Sequence, residues 1–86
     1  MRAFKNKWFN KWARDEDIRD DTLWKAAEEI VAGRVEADLG KCLYKKRGAR
    51  KGQGKSGGYR LIVAYKRPNL DRLFFISAFG KTKSRA

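Results

Sequence analysis

The sequence contains no histidine, one cysteine, one proline and, beyond Gly40, a single acidic residue, Asp71. Each scarcity removes a class of mechanism. Without histidine there is no His-based catalytic triad, no imidazole metal ligand, and none of the paired-histidine acid–base chemistry of many ribonucleases. Neither a metal nor a cofactor is expected. One cysteine cannot close an internal disulfide, which fits a reducing compartment, and a cytoplasmic location is expected. Cys42 itself reads as a small buried hydrophobe rather than a nucleophile. No apolar run approaches the length of a membrane span, and the opening MRAFKNKWF lacks the apolar core of a signal peptide.

The scarcity of acid in the second half matters most. Residues 1–40 carry eight cations and nine acids, a net of −1; residues 41–86 carry fourteen cations and one acid, a net of +13. The whole positive excess therefore belongs to the second half. That is the electrostatic footprint of a protein that binds a polyanion, and it outweighs the alternative of a merely solubilising surface. With 86 residues, one small domain is expected, its core drawn from three Trp, five Phe and scattered Leu, Ile and Val.

Hydrophobic spacing divides the chain into two halves. Residues 2–5 (RAFK) suggest a short strand. In NKWFNKWAR, Trp8 and Trp12 are four apart and Phe9 and Trp12 three apart, which predicts a helix with these aromatics in the core. An acidic break ends in Asp20 and Asp21, which suit an N-cap and the positive end of a helix dipole. Leu23, Ala26, Ala27, Ile30 and Val31 then mark an amphipathic helix that Gly33 is placed to end. The short link between the helices predicts an antiparallel pair. RVEADLG reads as a connecting loop and KCLYKKRGAR as a strand. YRLIVAY is a strand with Tyr59, Leu61, Val63 and Tyr65 on one face. KRPNLD reads as a turn. RLFFISAF is the last strand, with Leu73, Phe75, Ser77 and Phe79 sharing a face. The expected architecture is α+β: two antiparallel helices packed on a small antiparallel sheet.

The stretch ARKGQGKSGGYR, residues 49–60, carries Arg50, Lys51, Lys55 and Arg60 among four glycines and no acid. Glycines let a ligand backbone come close, and loops of this kind form anion-binding concavities. It is not a nucleotide-binding P-loop. The glycine required five residues before Gly54 is Ala49, and a strand follows rather than a helix, so ATP is not expected. Phosphate binding and a mobile, solubilising loop are both open from this stretch alone. If the two long strands are antiparallel neighbours, Arg60 at the start of one and Lys81 after the end of the other face one cleft.

In RKGQGKSGGYRLIVAY, followed by FFISAFGKTKSR and preceded by FKNKWF, the chain resembles the RelE/HigB branch of bacterial toxin–antitoxin toxins, over nearly its whole length. The resemblance implies a compact fold of one short strand, two helices and a three-stranded antiparallel sheet. It implies a metal-independent mRNA endoribonuclease, commonly working on the translating ribosome. It also implies a partner antitoxin, expected to carry a helix-turn-helix DNA-binding domain, that covers the active surface. The 86 residues are expected to form one RelE-like domain; relatives commonly continue into a helical tail where this sequence ends at Ala86. Such enzymes use lysine and arginine in place of histidine. By resemblance, Arg60 is the phosphate-stabilising arginine, Lys51 the general base with Lys55 beside it, and Lys81 or Lys83 takes the place of an arginine that relatives carry after the last strand. Crowding among cations lowers a lysine pKa toward the range a base needs. Lys45, Lys46, Arg47, Arg50 and Arg85 are the expected RNA-binding positions. Two other readings compete: a gyrase-poisoning toxin of the related ParE branch, and a noncatalytic nucleic-acid binder in which Tyr44 or Tyr59 stacks on bases. Packing is the better reading for Tyr59.

Overall fold

The computed structural model describes residues 1–50, 54–66 and 72–80, with side chains for 1–48, 58–66 and 72–80. The elements run β1 (Arg2–Lys5), α1 (Lys7–Asp15), α2 (Asp20–Val31), β2 (Ala37–Gly40), β3 (Leu43–Arg50), β4 (Gly54–Lys66) and β5 (Arg72–Gly80). The strands form one sheet in the order β1-β5-β4-β3-β2. All pairings are antiparallel except β1 with β5, which is parallel. The α+β expectation holds, with one strand more than the resemblance implies.

Alternation along β4 creates the core. Leu61 and Val63 are fully buried, and Tyr59 and Tyr65 nearly so. Phe9 and Ala13 of α1, and Leu23, Ala27 and Ile30 of α2, complete that core with Leu73, Phe75 and Ala78 of β5. Burying each large apolar side chain contributes about 1.5–3 kcal/mol. Phe9 stacks on Phe75 at 5.1 Å, and the edge of Trp12 meets Tyr59 at 5.7 Å. Trp8 departs from expectation. It stacks on Trp12 but is half exposed, because a nine-residue helix on one sheet face can bury only one stripe.

Local chemistry sets the helix ends. The Asn6 side chain accepts from the Phe9 amide at 2.7 Å, capping α1, and its Nδ2 donates to the Ile76 carbonyl at 3.0 Å. The N-cap of α2 is Arg19, without a side-chain cap, rather than Asp20 or Asp21. Those two acids occupy the first turn, where the dipole still favours them, and Asp20 pairs with Lys5 at 2.7 Å. At the other end Gly33 adopts φ +88°; its amide donates to Ile30 and that of Arg34 donates to Glu29, a Schellman cap.

Four more readings need correction. The segment 37–40, expected as loop, is β2, an edge strand too short and polar to show periodicity. β4 begins at Gly54 rather than Tyr59, so part of the glycine-rich stretch is strand, paired through Arg50 and Gly54. In β5 the register slips at Ile62/Val63, so Ile76 is an extra residue and the buried series runs Leu73, Phe75, Ala78. Phe79 is thereby turned out, and Phe74 and Ile76 are exposed as well. Cys42 is exposed, not buried: with Lys41 it forms the two-residue turn between β2 and β3, and both residues have positive φ. Of the expected KRPNLD turn, Lys66 is the last residue of β4 and residues 67–71 lie outside the described residues.

Candidate catalytic and nucleic-acid site

Arg60 sits within β4, between the core residues Tyr59 and Leu61, so its side chain leaves the sheet on the face away from the helices. It is nonetheless only 9 % exposed. Its partner across β3 is Arg47, and across β5 it is Phe79. Like charges directly opposite one another on neighbouring strands repel. Glu36 answers that repulsion. Its Oε1 lies 2.8 Å from Arg60 Nε, and its Oε2 accepts from Arg47 Nη2 at 2.9 Å.

The backbone explains how Glu36 reaches that face. Ala37 is the register partner of Lys45, yet the Glu36 amide also donates to the Lys45 carbonyl, at 2.7 Å. That bond anchors Glu36 beside Lys45 just before β2, and its carboxylate reaches the side shared by Lys45, Arg47 and Arg60. The Arg47 hydrogen bond, then the charges of Arg60, Arg47 and Lys45, hold the Glu36 carboxyl below the usual carboxylate range, against an opposing effect of desolvation. Among the described residues Arg60 Nη1 is buried without a hydrogen-bond partner. A buried unsatisfied guanidinium nitrogen is costly, and an anion would relieve it.

Tyr59 fixes the backbone beside Arg60. Its ring lies over Gly48 on β3, where an added Cβ would stand 2.2 Å from Cε1. Glycine at 48 therefore serves close approach, and Trp12 meets the same ring in a T-shaped contact at 5.7 Å.

Of the expected site residues, Arg60, Arg47 and Lys45 project from one face. Lys46 does not. It faces the helices and pairs with Glu29 of α2 at 2.7 Å, with its side chain 13 % exposed. The hydrogen bond from Lys46 is the main cause that lowers the Glu29 carboxyl. Lys46 is thus paired to α2, on the face opposite the one that carries Arg60. Arg50 and Lys55 belong to β3 and β4 by backbone, and their side chains lie outside the described set. Lys51, Lys81, Lys83 and Arg85 lie outside the described residues altogether; β5 ends at Gly80, opposite Tyr59. Tyr44 is half-buried against the core and Tyr59 is buried, so packing accounts for both. Glu36 is the residue that patterning missed. Its one sequence signal was to be an acid at the border of the basic half.

Among the described residues no group of three or more His, Cys, Asp or Glu side chains is placed to hold a metal ion. No helix among them is long and apolar enough to cross a membrane.

No match is found among curated proteins. A family described as "RelE toxin of RelE / RelB toxin-antitoxin system" matches residues 1–86. A basic face centred on Arg60, on a five-stranded sheet backed by two helices, accords with that match, and the chain belongs to the RelE family of toxins from toxin–antitoxin systems.

Proposed function

We propose that this toxin is a metal-independent endoribonuclease that cuts mRNA on the translating ribosome. The observation that supports it best is Arg60: a guanidinium nine-tenths buried in the middle of a strand, opposite a second arginine, with Nη1 unpartnered among the described residues. A structural arginine would have its donors filled. Here one buried donor, Nη1, lacks a partner that a phosphate oxygen would supply.

Cleavage begins when a base removes the proton from a ribose 2′-hydroxyl. The 2′-oxygen attacks the adjacent phosphorus, and a dianionic phosphorane forms. The bond to the 5′-oxygen breaks, and that oxygen takes up a proton. The products are a 2′,3′-cyclic phosphate and a 5′-hydroxyl. In this reading Arg60 meets the phosphorane oxygens, where preorganised charge does most for the rate. Lys51, with Lys55 near it in sequence, is the base. Lys81 or Lys83 supplies further charge to the phosphorane. Arg47, Lys45, Arg50 and Arg85 contact the RNA backbone. The ribosome is itself a polyanion, so a net charge of +12 favours encounter with it. The toxin's counterpart is an antitoxin, proposed to carry a helix-turn-helix DNA-binding domain and to cover this basic face.

The test is a translation extract programmed with one defined mRNA. Wild-type protein is expected to cut it at discrete positions. Arg60→Ala should abolish cutting, and Arg60→Lys should lose most of it, because lysine keeps the charge but not the planar fork. Cleavage at the wild-type rate by a folded Arg60→Ala variant overturns the assignment. DNA breaks without mRNA cuts would point instead to gyrase.

A further inference from the structure

Glu36 is an acid placed at the centre of a basic face. By charge alone it weakens the grip on RNA. Its geometry gives a reason for it to be there. Arg47 and Arg60 are register partners on β3 and β4, and without a counter-charge their guanidiniums would splay apart. Glu36 spans both, one carboxylate oxygen to each, and its side chain is only 24 % exposed. Its amide is anchored by a hydrogen bond to the Lys45 carbonyl at 2.7 Å. The ion pair to Arg60 is made at Nε, at 2.8 Å, while Nη1 has no partner among the described residues.

We propose that Glu36 is the positioning residue for the Arg60 guanidinium: its carboxylate holds Arg60 by Nε and Arg47 by Nη2, leaving Nη1 of Arg60 as the donor that meets phosphate. The catalytic part of this rests on the nuclease reading above; the hold on Arg60 does not. Glu36 touches neither the ribose nor the phosphate. It acts by fixing the angle at which the fork is presented, and its single negative charge leaves the three-residue cluster with a net of +1.

Two measurements on the full chain test this, with Glu36→Gln as the main variant and Glu36→Asp as its charge-keeping control. The first is hydrogen exchange at the Arg60 Nε, followed by NMR in protein labelled with 15N-arginine and assigned through Arg60→Lys. Wild type should show a protected Nε–H. Glu36→Gln should exchange it faster by about 10-fold or more, at an unchanged far-ultraviolet spectrum. The second is cleavage of a defined mRNA in the extract. Glu36→Gln should lower kcat by about 10–100-fold with KM nearly unchanged, because the loss is in alignment rather than encounter. Glu36→Asp should recover part of that rate. A Gln variant with wild-type exchange and wild-type kcat overturns the proposal. So does a variant whose KM alone changes, since that would make Glu36 a simple modulator of RNA affinity. If wild-type protein cuts no RNA, the nuclease reading fails and the catalytic role with it, while the exchange measurement still decides whether Glu36 holds Arg60. If Glu36→Gln fails to fold, Glu36→Asp carries both measurements: protected Nε–H with reduced kcat supports the proposal, and wild-type values for both reject it.

Discussion

Gly48→Ala should destabilise this protein, against the ordinary gain from replacing glycine in a strand. The new Cβ would stand 2.2 Å from Cε1, 2.4 Å from Cζ and 2.8 Å from the hydroxyl oxygen of Tyr59. Real Cβ contacts are not that short, so the ring must move. It has little room to do so, being 3 % exposed and wedged by the edge of Trp12. Overpacking of this kind costs about 1–3 kcal/mol. Against it stands a gain of about 0.4–1 kcal/mol from a less flexible unfolded chain. The net loss is about 1–2 kcal/mol, or roughly 5–15 °C in Tm for a domain of this size. Thermal and urea melts read it directly. The decisive control is Tyr59→Ala. In that background the clash is gone, so Gly48→Ala should become neutral or stabilising. If alanine at 48 raises Tm in the wild-type background, or lowers it equally in both, the ring does not lie over Gly48 as described. The local anchor for Arg60 would then be lost with it.

Four further outcomes are expected. Lys41 and Cys42 form a two-residue turn at φ 54° and 65°, so the double substitution Lys41→Asn with Cys42→Gly should stabilise by about 1–2 kcal/mol, visible as a higher urea midpoint. Asn6→Ala removes the cap of α1 and should cost about 1 kcal/mol in the same melts. Glu29 and Glu36 have carboxyls lowered by Lys46 and Arg47, respectively. A lowered folded-state pKa gives stability that is complete above the ordinary carboxylate range, about pH 4.3. It is lost as pH falls through the lower folded value, so an acid titration of Tm should steepen there and flatten in the Glu29→Gln and Glu36→Gln variants. RNA binding should weaken steeply with salt, and Arg47→Ala should reduce the slope of log affinity against log salt by about one.

What the sequence shows and what it hides follow from the range of the interactions involved. The core face of β4 and the buried stripe of α2 were legible because burial imposes periods of two and 3.6 on consecutive side chains, and both periods are intact from Tyr59 to Tyr65 and from Leu23 to Ile30. The face of β5 was not, because a single extra residue at Ile76 inverts the alternation beyond it, and a bulge leaves no mark in composition. β2 was hidden for a different reason: Ala37–Gly40 is an edge strand, held by pairing with β3 and not by apolar burial of its own. Trp8 carries core chemistry but sits on the outer side of a short helix, a matter of where the helix meets the sheet. At the candidate site, Arg60 was singled out from its motif, but its counter-ion lies 24 residues earlier, just before β2. Lys46 and Arg47 are adjacent cations with opposite fates, one tied to Glu29 of α2 and one paired with Glu36 on the face that carries Arg60, and only the pleat distinguishes them.

The central claim, that a basic face organised by Arg60 breaks RNA by attack of the ribose hydroxyl, is tested most directly by the chemistry of the cut ends. Fragments from a translation extract treated with wild-type protein should carry 2′,3′-cyclic phosphate and 5′-hydroxyl termini, and should be absent with Arg60→Ala. Fragments ending in 3′-hydroxyl and 5′-phosphate, or cyclic-phosphate fragments that persist unchanged with a folded Arg60→Ala variant, would contradict it.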